Sequence, residues 1–311
     1  MPRRPLQRVQ AALAVRLYFV EQKTKSEIAD YLGVSRFKVA RLIDAAIEQK
    51  IIEFVISEPE DLNTKLGEAV RRAYGLKAVL VLDGPDLSTS ALTTPLGNLA
   101  ASFLDETLVD GQLLGIAWGR TLAAMAKALT HLPKVDVVQV AGTPAGLDTS
   151  QTPVELVHRL AGLSGGTAYP VYSPMWSEDP KLIQSLRNEP SVANAIGKYD
   201  SIDVLVIGLG SWIPEESCLS SGFPKAWRER AIAAGVRADV CGTLIGADGR
   251  EVPSELDDRG ISITSAQIRK IPDVIGIGGG LEKAEAIAAV LRGRWINTLV
   301  TDAGVARRLV A

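Results

Sequence analysis

The chain has 311 residues, 47% of them hydrophobic and 23% charged, more than one core usually serves, so a small domain joined to a larger one is expected. No apolar run reaches the roughly 18 residues of a membrane span, and two cysteines with two histidines exclude a disulfide framework and a His-rich metal centre. The net charge of −2 conceals an asymmetry: residues 1–56 carry ten Lys/Arg against six Asp/Glu, a basic head on an acidic body.

In chain order, Leu6, Val9, Leu13, Leu17 and Val20 recur at helical steps, predicting a first helix that ends near Glu21 with these residues on one stripe. Thr24-Lys25-Ser26-Glu27 has the form of a capping box and opens a second helix over 25–32. Gly33 supplies a turn, Val34 a core plug, and Ser35 the cap of a third helix running to about Gln49. Two helices joined by a tight glycine turn make a helix-turn-helix. On the third helix, Val39, Leu42, Ile43 and Ala46 fall on the buried side, while Phe37, Arg41, Asp44 and Glu48 fall opposite.

A recognition helix enters the major groove by its amino-terminal end, and here that end is basic and apolar. The DNA-binding candidates are Arg36, Phe37, Lys38 and Arg41, with Ser35 on a phosphate or acting as a cap. A three-helix dimerisation module with the same spacing is the blander alternative. Residues 51–56 are rich in β-formers and predict a wing, and 57–60 read as a linker. The expected domains are therefore 1–57, a winged helix-turn-helix that binds double-stranded DNA, and 58–311.

In the second domain a helix is expected over 62–74. Strand-like runs at 78–82, 113–117, 135–140, 204–207, 274–277 and 298–301 then alternate with helical stretches at 96–107, 122–129, 154–163, 224–234, 281–292 and 305–309. Such alternation predicts a Rossmann-like, mainly parallel α/β sheet with ligands beyond the carboxyl ends of its strands. Three strand-to-helix junctions are rich in glycine and suit an anion: Gly115 to Thr121, with Arg120; Gly208-Leu209-Gly210-Ser211; and Gly276 to Lys283, which brings a lysine into the first helical turn. None is a nucleotide fingerprint, because Leu281 stands where GxGxxG needs its third glycine and Ala284 follows Lys283 in place of the Ser/Thr of a Walker A loop. Tight turns alone would use the same glycines.

These motifs carry a resemblance over nearly the whole chain to the SorC family of sugar-responsive transcriptional regulators. It rests on Ile28 to Arg36 and Val39 to Ile43 in the head, and in the body on Gly115 to Thr121, Val206 to Gly210, Ala238 to Gly242 and the long block from Gly278 to Asp302. The resemblance implies an effector domain of the sugar-phosphate isomerase/deaminase type and a dimer or tetramer; the residues themselves, with no membrane span and no nucleotide fingerprint, predict a cytoplasmic location and no cofactor. It also implies that residues 118–121 and Lys283 hold a ligand phosphate, and that Asp239 contacts sugar hydroxyls. The effector-binding set is Trp118, Gly119, Arg120, Thr121, Gly142, Gly208, Gly210, Asp239 and Lys283. Ala141 stands where some relatives carry a lysine, which removes a Schiff-base amine.

The rival is an active sugar-phosphate isomerase or deaminase with an appended head. After Gly210 the chain runs Ser211-Trp212-Ile213-Pro214-Glu215-Glu216, without the Asp-Gly-His run of deaminases, and His131 and His158 sit in structural settings. Only Glu215 remains as a conceivable base, so no catalytic residue is expected.

Overall fold

The computed structural model describes residues 5–53, 61–145 and 152–311. It divides into two compact units, Met1–Glu58 and Pro59–Ala311.

The first unit is built on three helices: α1 (Pro5–Val15), prolonged by a π-helical turn (Arg16–Val20), α2 (Lys25–Leu32) and α3 (Arg36–Glu48). Thr24 and Glu27 form the expected capping box, with the Glu27 amide donating to Thr24 Oγ1 at 3.3 Å and the Thr24 amide to Glu27 Oε2 at 2.8 Å. Gly33 closes α2 at φ +62°, a left-handed conformation that costs glycine little, and Ser35 Oγ accepts from the Lys38 amide at 3.3 Å. Val39, Leu42, Ile43 and Ala46 are buried, as the spacing predicts.

Two expectations fail here. The core stripe of the first helix is Ala11, Ala14, Val15 and Leu17, whereas Val9 and Val20 are 64% and 71% exposed. Ala11 and Ala14 let α1 and α3 pack closely, so small side chains take the inner face that the larger Val9 was expected to share; the π-turn follows only at Arg16–Val20. The Leu6 side chain is outside the described set. The predicted wing is not a strand over its described part: Ile51 and Ile52 lie in a bend and pack back on the head core, after Lys50 at φ +53°. Residues 54–56 and the expected linker at 57–60 lie outside the described residues.

The second unit carries a seven-stranded, wholly parallel sheet. Its strands are β1 (Ala78–Leu82), β2 (Leu113–Ile116), β3 (Asp136–Gln139), β4 (Ala168–Tyr169), β5 (Val204–Gly208), β9 (Asp273–Ile277) and β10 (Thr298–Asp302), in the order β1-β10-β9-β5-β2-β3-β4. The strands β6 (Gly210–Ser211), β7 (Val236–Val240) and β8 (Thr243–Gly246) form a small antiparallel sheet. All six expected strands are present. Inner strands such as β5 and β10 are buried almost without alternation because helices cover both faces. From β2 the chain moves outward through β3 and β4, then returns to the other side of β2 as β5. The order reverses there, and such a reversal opens a crevice at the carboxyl ends of the strands.

The helix expected at 96–107 begins earlier, at Thr89–Thr107, and runs through Pro95. It packs on the helix Arg120–Ala128 where a Cβ on Gly97 would come within 2.7 Å of Ala124 Cβ. Helices Pro180–Arg187 and Pro190–Ile196 were not expected from the pattern.

Gly166, ahead of β4, lies so close to the preceding strand that a Cβ would sit 1.8 Å from the Val135 carbonyl oxygen. Gly166→Ala should therefore cost about 1–3 kcal/mol of stability. All five tryptophans lie in residues 59–311, so denaturant unfolding followed by their fluorescence reads the change, and an unaltered midpoint would contradict this packing.

Candidate functional site

A cavity of about 50 Å³ lies beyond the carboxyl ends of β2, β5 and β9, which are neighbours in the sheet. The registers Ile116↔Val206 and Gly208↔Ile277 keep the three ends nearly level, so the loops that follow them converge. From β2 come Ala117, Trp118 and Gly119, then Arg120, Thr121 and Leu122 in the first turn of the helix Arg120–Ala128. Gly119 caps that helix at φ +141°, a conformation L side chains rarely adopt. From β5 come Gly208, Leu209 and Gly210, where a Cβ on Gly210 would come within 2.4 Å of Asp239 Oδ1. From β9, Gly280 turns at φ +97° into the 3₁₀ turn Leu281–Lys283, which delivers Lys283.

Lys283 is only 8% exposed, and its Nζ donates to the Leu209 carbonyl at 3.2 Å. Burial pushes the ammonium below the ordinary lysine value; the Glu216 carboxylate opposes this most, Arg120 adds to it by repulsion, and Asp239 opposes it more weakly. Asp239, on β7, is buried, and burial raises its carboxyl above the usual range. Ser217 Oγ at 2.5 Å and Trp212 Nε1 at 2.8 Å, both donating to Oδ1, work the other way. Neither bond uses Oδ2. Across the mouth, Arg120 Nη2 meets Glu216 Oε2 at 3.2 Å. Burial raises the Cys218 thiol, so at neutral pH it contributes no charge.

A second anchor fixes the β9 loop. Glu282 Oε1 accepts from the Thr89 amide at 2.9 Å and from Thr89 Oγ1 at 2.7 Å. Burial works against the Glu282 carboxylate, but the Thr89 donors outweigh it and hold it below the ordinary range. This ties the residue beside Lys283 to the start of the helix Thr89–Thr107.

Trp118, Gly119, Arg120, Thr121, Gly208, Gly210, Asp239 and Lys283 are thus brought together as cavity lining. Gly142 is not among the lining residues. Its amide donates to the Ile261 carbonyl at 2.8 Å, and a Cβ there would meet the Pro174 and Met175 backbone, so close packing accounts for the glycine. Thr89, Thr93, Glu216, Ser217, Cys218 and Cys241 also line the cavity and escaped the sequence reading. Glu216 follows Glu215, the one carboxylate expected as a conceivable base; Thr89 gave no signal, because Pro95 concealed the start of its helix.

In the first unit, Ser35 caps α3, and Arg36, Phe37 and Arg41 are exposed at its leading end, Phe37 by 83%. Lys38 is half-buried. It lines with Arg41 a cleft of about 500 Å³ between α1 and α3 that also includes Gln7, Ala11, Asp44 and Glu48.

A family model described as "Putative sugar-binding domain" matches residues 59–311. The sorbitol operon regulator of Klebsiella pneumoniae is 26% identical over 299 residues, spanning 94% of this chain and 95% of that one. The deoxyribonucleoside regulator of Bacillus subtilis is 24% identical over 300 residues, 96% of each. The crystal structure of full-length SorC from Klebsiella pneumoniae superposes with a TM-score of 0.75 at 24% identity, covering 98% of this chain and 99% of that one, a likeness of fold. With its parallel α/β body matched end to end by that model, the chain belongs to the sugar-binding domain family of SorC-type transcriptional regulators.

Proposed function

We propose that the chain binds operator DNA through the leading end of α3 and that a small phosphorylated sugar or polyol, held at the strand-end cavity, sets its affinity for that DNA. The observation that carries this reading is the convergence of Arg120, Lys283 and the glycine backbone at 119, 208 and 210 on one cavity. Backbone amides at strand ends and helix starts favour an anion, and a part-buried ammonium strengthens the attraction. Asp239, with Oδ2 outside its two bonds, suits a sugar hydroxyl. The relatives' names, sorbitol operon regulator and deoxyribonucleoside regulator, agree with a carbohydrate effector.

The same geometry favours binding over turnover. Glu215 is paired with Arg228 and takes a bond from Ser220 Oγ, and it does not line the cavity. His131 faces Asp105 on the surface, and His158 bonds Tyr172. None is placed for proton transfer to a ligand in the cavity. The operator-binding form is a dimer or tetramer in this reading, because two recognition helices reading two half-sites give a small head enough contact. The chain then works in the cytoplasm, and no helix among the described residues is long and apolar enough to cross a membrane.

Calorimetry with a panel of sugars and their phosphates tests the site. Lys283→Ala should weaken a phosphorylated ligand far more than its free counterpart, and equal losses would show that the lysine does not read phosphate.

The pH dependence has a defined sign. A lysine whose value is lowered in the folded protein loses its proton earlier as pH rises, so phosphate affinity should fall on the alkaline side, below the ordinary lysine value of about 10.4. Lys283→Met should abolish that fall, whereas an alkaline limb that persists in the variant would assign it elsewhere.

For the head, Arg41→Ala should cost about 1–3 kcal/mol of affinity for the duplex that the wild-type chain selects from a random library, and leave effector affinity unchanged. Undiminished DNA binding would remove the proposed groove face.

A further inference from the structure

The cations of the proposed anion site already face an anion. Glu216 Oε2 lies 3.2 Å from Arg120 Nη2, and of the charges around Lys283 it is Glu216 that most favours the ammonium. All three side chains line the cavity. A phosphoryl group that reaches Arg120 and Lys283 there meets the Glu216 carboxylate as well. Like charges repel at that range, so one of the acidic groups has to give way when such a ligand enters.

Most of the lining cannot yield cheaply. Asp239 is buried and held by Trp212 and Ser217, and the glycine segments are the ends of strands. Glu216 differs, because its side chain is 31% exposed while its main chain is tied on every side. Its own amide donates to the Ser211 carbonyl at 2.9 Å, Ser217 after it bonds Asp239, and Glu215 before it pairs with Arg228. Rotation of one side chain, with no loop movement, takes the carboxylate out of the cavity.

Building on the anion-site reading above, we propose that Glu216 is an internal counter-anion, which neutralises Arg120 and Lys283 in the unliganded protein and is displaced by the incoming phosphoryl group. Ligand binding is then an exchange of anions. The exchange also narrows the class of ligand: Arg120 and Lys283 provide two positive charges against Asp239, enough for one phosphoryl group, while a second would meet Asp239 and the displaced Glu216.

Titration of the full chain with inorganic phosphate at fixed ionic strength tests the exchange. Glu216→Gln keeps the shape and removes the charge, and phosphate binding should tighten about fivefold, the upper range for a half-exposed ion pair. Glu216→Ser should act in the same direction and serves if the first variant does not fold. The gain should shrink when Lys283→Ala is combined with either and disappear when Arg120→Ala is added. Unchanged or weaker binding in both Glu216 variants, with Lys283→Ala still harmful, overturns the counter-anion role and leaves the anion site standing. Phosphate binding indifferent to Lys283→Ala overturns the site itself, and with it the exchange.

Discussion

A cation taken out of water must be compensated, and in this protein the compensation of Lys283 organises the region around it. Its ammonium reaches the Leu209 carbonyl, is favoured by the carboxylates of Glu216 and Asp239, and is still held below the ordinary lysine value by burial. Each partner comes from a different strand end. The lysine follows β9, Leu209 follows β5, Glu216 follows β6, and Asp239 lies in β7. The arrangement exists only because the register of the parallel sheet brings the ends of β2, β5 and β9 level at the point where strand order reverses.

The charges around the cavity are balanced by sign, two basic and two acidic, and this balance distinguishes the site from a simple basic patch. Arg120 stands at the rim and Lys283 at the floor, so one exposed and one buried cation face the same volume. The acidic pair differs likewise: Glu216 can leave, and Asp239 cannot. A ligand with one anionic end and several hydroxyls matches that division.

Much of this was legible from residue order, for identifiable reasons. Gly276 to Lys283 stood out because its glycines end on a lysine that, with Arg120 in a second junction, suits an anion, and the head was legible because Thr24, Glu27, Gly33 and Ser35 each perform a local task that the structure repeats. What failed depended on tertiary context. The first helix buries Ala11, Ala14 and Val15, small residues that a count of large apolar side chains passes over, and Ile51 and Ile52 packed on the head core where a strand was expected. Gly142 belonged to the expected effector-binding set, yet it does not line the cavity, and its close neighbour is the Pro174–Met175 backbone. Thr89 and Glu216 reach the cavity through long-range pairing, with Glu282 and Arg120 respectively, and such pairs leave no spacing in the chain.

The central claim is that three strand ends act as one anion receptor, and amide hydrogen exchange of the full chain, with and without saturating inorganic phosphate, tests it most directly. Exchange should slow together at residues 119–121, 208–211 and 280–283. Protection confined to one of these segments, or found only elsewhere in the chain, would contradict a shared receptor.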